Sequence, residues 1–198
     1  RLRNMQKHQL VTGTIHPYRG EWIEFDVEHK PGKDVTAGAR IARKRRLSIF
    51  TILRALGYDE ATHPGFLEQF VQYFDFLEGQ WENERDKWAR SDEDAPLAPT
   101  QEEALIEIYK RARPGEPPTA EAAANYFNNA YFDDRRYSLS KVGRYKLTKK
   151  LSAEIDKLED LFGLKLERPS ADSQVLTRSE VLAAISYLLH LANAEQGY

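Results

Sequence analysis

Polar and apolar residues alternate with a period of two from Glu21 to Val27, with Ile23, Phe25 and Val27 on one side and Glu24 and Asp26 on the other. That alternation predicts a half-buried strand behind a turn at Pro17 and Gly20. Residues 28–38 carry Pro31, Gly32 and Gly38 and read as a loop; residues 39–42 read as the returning strand of a hairpin. Residues 1–13 read as an extended or frayed lead-in. The period then lengthens to that of a helix. Residues 47–58 place Ile49, Ile52, Leu53 and Leu56 on one face. Residues 64–90 carry an aromatic stripe of Phe66, Phe70, Tyr73, Phe74, Trp81 and Trp88, with Leu77 among them, which reads as core. Capping boxes at Thr100–Glu103 and Thr177–Glu180 open helices to about 112 and about 193. Two more helical stretches cover 120–130 and 151–162, the latter closed by Gly163. The basic stretch 140–150 lies between them, and 164–176 reads as a loop or short strand. The expected fold is α+β: one mostly helical domain with a small antiparallel hairpin or sheet near its N-terminal part.

The stretch Arg113-Pro114-Gly115-Glu116-Pro117-Pro118-Thr119 holds three of the nine prolines. Proline fixes φ and restrains the residue before it, and Thr119 suits an N-cap, so a stiff elbow between two helices is predicted. It serves either as a plain connector or as a rigid loop presenting Arg113 and Glu116. Arg40, Arg43, Lys44, Arg45 and Arg46 crowd five cations into seven residues. Their mutual repulsion requires solvent or an anionic partner, so this is a solvated turn or a phosphate-contacting loop.

Composition narrows the chemistry. Apolar residues make up 41% and charged residues 30%, enough for a core, and the net charge of −2 confines any nucleic-acid site to a local patch. With no cysteine, disulfides and thiolate metal sites are excluded. No apolar run approaches a membrane span, and residues 1–10 lack the apolar region of a secretory signal, so a cytoplasmic location is expected. The chain starts at Arg1 without an initiator Met and is read as a piece of a longer protein. Nucleophile elbows, phosphate-binding loops, zinc-protease motifs and dinucleotide fingerprints are absent. The five histidines (His8, His16, His29, His63 and His190) are scattered, and the acidic groups at 92–94 and 133–134 offer no third ligand of defined geometry. No catalytic residue and no metal site is expected.

Four segments in order carry a resemblance. They are Pro17–Phe25; Arg40–Leu47 running on to Leu53–Tyr58; Glu103–Tyr109 leading into the 113–119 elbow; and Arg136–Leu147. Together they resemble the lobe domain of the β subunit of bacterial DNA-directed RNA polymerase, over about residues 15–191 of a single domain spanning 1–198. Ala42 stands where that family usually has Asp and Ser48 where it usually has Pro. Residues 66–99 match poorly and are expected to be a variable segment. The resemblance implies a wall of the polymerase main cleft, beside downstream duplex and non-template DNA, within a nucleotidyltransferase whose catalytic magnesium belongs to the β′ subunit. No cofactor is implied for this chain. The implied partners are DNA, the β′ and α subunits, σ factor and the remainder of β. The resemblance places Trp22 where a side chain stacks on an unpaired base, Arg113 and Arg144 toward the non-template strand, and Arg43, Lys44, Arg45 and Arg46 along the DNA path. Arg19 and Lys146 complete the implied DNA-binding set, and each basic head is expected to stay solvated, because burial without a partner is costly. Two other readings stand beside this one: a docking platform for initiation or regulatory factors, and a stand-alone helical adaptor.

Overall fold

The computed structural model describes residues 8–89 and 100–198. Four strands form an antiparallel meander in sequence order: β1 (Gln9–Ile15), β2 (Ile23–His29), β3 (Thr36–Ile41) and the two-residue β4 (Leu47–Ser48). The hairpin expected near 21–42 is β2–β3, in the register Ile23↔Ile41 to Glu28↔Thr36. β1 was not foreseen. Only Val11 of its seven residues is buried, so the pairing with β2, from Gln9↔His29 to Ile15↔Ile23, defines the strand rather than its own alternation.

Seven helices follow among the described residues: α1 (Ile49–Ala55), α2 (Phe66–Tyr73), α3 (Glu78–Ala89), α4 (Gln101–Ala112), α5 (Ala120–Tyr131), α6 (Ser140–Phe162) and α7 (Arg178–Gln196). A single 3-10 turn, Asp75–Leu77, links α2 to α3. Threonines start three of the helices, each hydroxyl accepting from a backbone N–H: Thr100 from Glu103, Thr119 from Ala122 and Thr177 from Glu180. At Thr177 the Glu180 carboxylate returns the bond to the Thr177 N–H, completing the box. Gly163 ends α6 at φ 63°, as its C-cap position requires. Residues 140–150 and 151–162 prove to be one continuous helix, α6, and 164–176 is loop.

α7 packs against β1 and β2, α1 against β3, α4 against α5, and α6 against α7. One continuous apolar cluster joins the sheet face (Ile23, Phe25, Val27) to all seven helices. The aromatic stripe is core at Phe66, Phe70, Phe74 and Trp81, while Tyr73 is exposed at its margin. His190, one of the scattered histidines, bonds Glu154 through Nδ1 and the Tyr73 hydroxyl through Nε2, each at 2.8 Å. The acidic stretch 91–99 and the first seven residues lie outside the described residues. No described helix is long and apolar enough to cross a membrane.

Candidate nucleic-acid interface

The basic loop is built by the β3–β4 connection. Ala42 and Arg43 both take left-handed backbone angles (φ 54° and 60°), and the Lys44 N–H donates to the Ile41 carbonyl at 3.0 Å. Two consecutive left-handed residues closed by such a bond make a turn of the I′ type, whose twist suits an antiparallel pair. Ala42 is strained there by about 1–2 kcal/mol, a conformation that Asp or Asn tolerates better. The loop ends at Ser48, which caps α1 at φ −60° with its hydroxyl accepting from the Phe50 N–H. That φ is one proline also adopts, so the Ser–Pro difference leaves the entry into α1 intact.

The turn projects Arg43 onto Trp22, with the guanidinium carbon 4.0 Å from the indole centroid. His16 lies against the same indole at 4.1 Å. Trp22 is 38% exposed, and His16 and Arg43 are both exposed. The backbone beneath is pinned: the Trp22 carbonyl accepts from the Tyr131 hydroxyl at 3.0 Å and from the Ala42 N–H at 3.2 Å. Upstream, Arg19 forms a two-way backbone bridge with Ser138, and its guanidinium donates to the carbonyls of Arg135 and Asp134. Gly20 makes this close approach possible. It sits at φ 120°, and a Cβ there would lie 2.8 Å from the Tyr137 ring and 3.0 Å from the Arg136 carbonyl.

Arg40, Lys44 and Arg45 are exposed. Arg46 is not free: it pairs with buried Asp26 at 2.7 Å and donates to the Thr36 carbonyl. Asp26 on the outer face of β2 draws it back across the sheet, so Arg46 braces the loop instead of lining a path beside Arg43–Arg45. Arg111, which sequence reasoning passed over, donates to the Arg46 carbonyl at 2.6 Å and approaches Glu107 at 3.8 Å, tying the loop to α4. Only its place on the helix face toward α1 could have signalled this.

The elbow matches expectation. Arg113 is exposed, Gly115 takes φ 88°, and Glu116 accepts from the Tyr109 hydroxyl at 2.7 Å. Arg113 lies 5.7 Å from the Tyr126 ring. Burial raises the Tyr126 phenol, with Glu21 adding to the rise and Arg113 opposing it.

Arg144 overturns the expectation of solvated heads. It is 2% exposed. Its Nη1 donates to Glu180 Oε2 at 2.6 Å, its Nη2 to Glu180 Oε1 at 3.1 Å, and its Nε to the Ser173 carbonyl at 2.5 Å; Thr148 and the Val175 carbonyl take the remaining donors. A left-handed Ser140 (φ 66°) starts α6 and turns this face inward, toward the start of α7. Arg144 therefore presents no charge to a DNA strand. Lys146, two residues on, is exposed, on an element separate from the Trp22–Arg43 pair. Among the described residues, no three His, Asp or Glu side chains gather as metal ligands.

The fold and these contacts define an α+β domain whose basic side chains ride on short, braced loops at the ends of strands and helices. The chain belongs to the family described as RNA polymerase Rpb2, domain 2, whose sequence model matches residues 2–196. It is 38% identical over 186 residues to the DNA-directed RNA polymerase subunit beta of Streptomyces coelicolor, a match covering 94% of this chain and 13% of that relative's length. The family read from the four sequence segments is thereby borne out.

Proposed function

We propose that this chain is the lobe of a bacterial RNA polymerase β subunit, forming one wall of the main cleft and holding downstream and non-template DNA while other subunits carry out nucleotide addition. On this reading it works with β′, which holds the catalytic magnesium, with α, σ factor and the rest of β, and it supplies no reacting group. The observation that carries the proposal is the half-exposed Trp22, stacked with Arg43, whose loop also carries exposed Arg40, Lys44 and Arg45. Aromatic faces beside cations hold single-stranded nucleic acid by stacking and by charge. An arriving base displaces His16 or Arg43, both exposed, and no core residue need move. Arg113, exposed beside Tyr126 of α5, offers a further cation.

The test uses open-complex lifetimes of the assembled polymerase across salt concentrations and across the four bases at the downstream bubble edge. Replacing Arg43, Lys44 and Arg45 with Ala should flatten the logarithmic salt slope by about 2–3, one released counterion per phosphate contact. Trp22→Ala should leave the slope unchanged and shorten lifetimes roughly fivefold to 150-fold, from about 1–3 kcal/mol of stacking, by an amount that varies with the base. An unchanged slope in the triple variant, together with a base-independent Trp22→Ala, would sink the proposal.

A further inference from the structure

Two buried charges lie outside the DNA reading. Arg54, 1% exposed, is sealed beneath the Trp88 ring with Glu84 and Glu107 as counter-charges. Glu154 of α6, 6% exposed, differs because a chain of bonds leads from it to the surface. Its Oε1 accepts from the Ser186 hydroxyl at 2.5 Å and from His190 Nδ1 at 2.8 Å, both on α7. His190 Nε2 in turn meets the hydroxyl of Tyr73, the last residue of α2, at 2.8 Å. The Phe74 ring stands edge to face with the imidazole at 5.0 Å and the Tyr73 ring at 5.4 Å, which steadies its plane. Tyr73 is 42% exposed.

The partners fix the proton positions. A carboxylate only accepts, so Nδ1 carries the ring proton and Nε2 offers its lone pair to the Tyr73 O–H. Burial opposes the Glu154 charge, but the bonds from His190 and Ser186 outweigh it and hold that carboxyl below its usual range. Lys157, 3.9 Å from Oε2, is the other charge facing it among the described residues. Hydroxyl, imidazole and buried carboxylate in this order form the arrangement that activates an oxygen nucleophile: the imidazole takes the hydroxyl proton, and the carboxylate orients the ring and stabilises its cation. We propose that Tyr73 is an activated nucleophile and a site of covalent acylation by small activated acyl donors, with His190 as its general base and Glu154 as a positioning residue. The Tyr73 oxygen attacks the acyl carbonyl carbon while its proton passes to His190 Nε2. The bond from that carbon to the leaving group then breaks, the leaving group keeps the electron pair and takes the proton from His190, and an aryl ester remains on Tyr73. The site shares no residue with the candidate DNA surface and stands independently of it.

The experiment treats the intact protein with p-nitrophenyl acetate and follows acetylation of individual tyrosines by peptide mass spectrometry. Tyr18 and Tyr145 are internal references: both are more exposed than Tyr73, and neither is hydrogen-bonded to a histidine among the described residues. Tyr73 should react at least about tenfold faster than either, a modest share of what a positioned base supplies. His190→Gln should bring Tyr73 down to the reference rate and leave Tyr18 and Tyr145 unchanged, which also reports an intact fold. Glu154→Gln keeps the shape of the side chain and should slow Tyr73 severalfold. From about pH 6 to about pH 9 the wild-type Tyr73 rate should level off once the imidazole is neutral, whereas in His190→Gln it should keep rising with phenol ionisation. Acetylation of wild-type Tyr73 no faster than Tyr18 and Tyr145 overturns the proposal, as does a Tyr73 rate and pH profile unchanged by His190→Gln.

Discussion

Removing the Arg144 guanidinium separates a structural role from a DNA-contacting one. In Arg144→Ala the Glu180 carboxylate, 1% exposed in its side chain, is left without its counter-ion, and the carbonyls of Ser173 and Val175 lose a donor. Breaking one side of a buried pair costs about 3–5 kcal/mol. In a domain of this size each kcal/mol moves the midpoint by roughly 2–4 °C, so the 198-residue chain should melt about 6–20 °C lower by calorimetry. Glu180 also closes the Thr177 capping box, so the start of α7 should lose amide-exchange protection first. Arg144→Met combined with Glu180→Gln removes both charges and should recover part of the loss, because a buried pair adds little net stability over neutral side chains. Lys146→Ala is the matched control: exposed, it should change stability by less than about 0.5 kcal/mol and lower the salt slope of DNA binding by about one. An Arg144→Ala chain that melts with the wild type but loses DNA affinity with a reduced salt slope would refute the structural assignment.

Burial pushes Glu84 and Glu107 up to about 7, from the ordinary value of 4.5. The folded chain therefore holds protons that the unfolded chain has released between about pH 4.5 and pH 7. Their contribution to stability is present at the acid end of that window and is lost as pH rises through it. Urea midpoints taken from pH 5 to pH 8 should fall less steeply in Glu84→Gln than in the wild type; an identical pH profile would contradict the burial of that carboxylate. Ala42→Asn should raise stability by about 1 kcal/mol by relieving the left-handed turn, read as a higher thermal midpoint, and a lower midpoint would contradict the turn geometry.

What the sequence revealed and what it hid divide along physical lines. The helices read well because amphipathic periodicity and threonine caps are local signals: Thr100, Thr119, Thr177 and Gly163 all sit where their chemistry placed them. β1 was hidden because an edge strand with one buried residue carries little alternation of its own. The basic residues were found by charge, but charge does not say which way a side chain points. Arg43 and Arg113 face solvent, whereas Arg46 and Arg144 each met an acidic partner, Asp26 and Glu180, lying 20 and 36 residues away. Nothing in the local pattern marks such a partner. Arg54 was invisible for the same reason: a lone cation within an otherwise apolar helical face reads as surface until α3 and α4 are seen to enclose it.

The bridge between Arg19 and Ser138 bears on how the interface comes into being. The meander closes through neighbouring strands and forms from local chain, but the Trp22 loop is pinned by bonds shared with Tyr131, Asp134, Arg135 and Ser138, with separations of up to 119 residues. Drawing together ends so far apart costs roughly 4 kcal/mol of chain entropy, far more than closing a hairpin. That cost is met only once α5 has packed. A piece holding the four strands alone would thus contain every residue of the Trp22–Arg43 stack and lack the scaffold that fixes it. The geometry of the Trp22–Arg43 stack thus depends on the assembly of the whole domain and not on the hairpin alone.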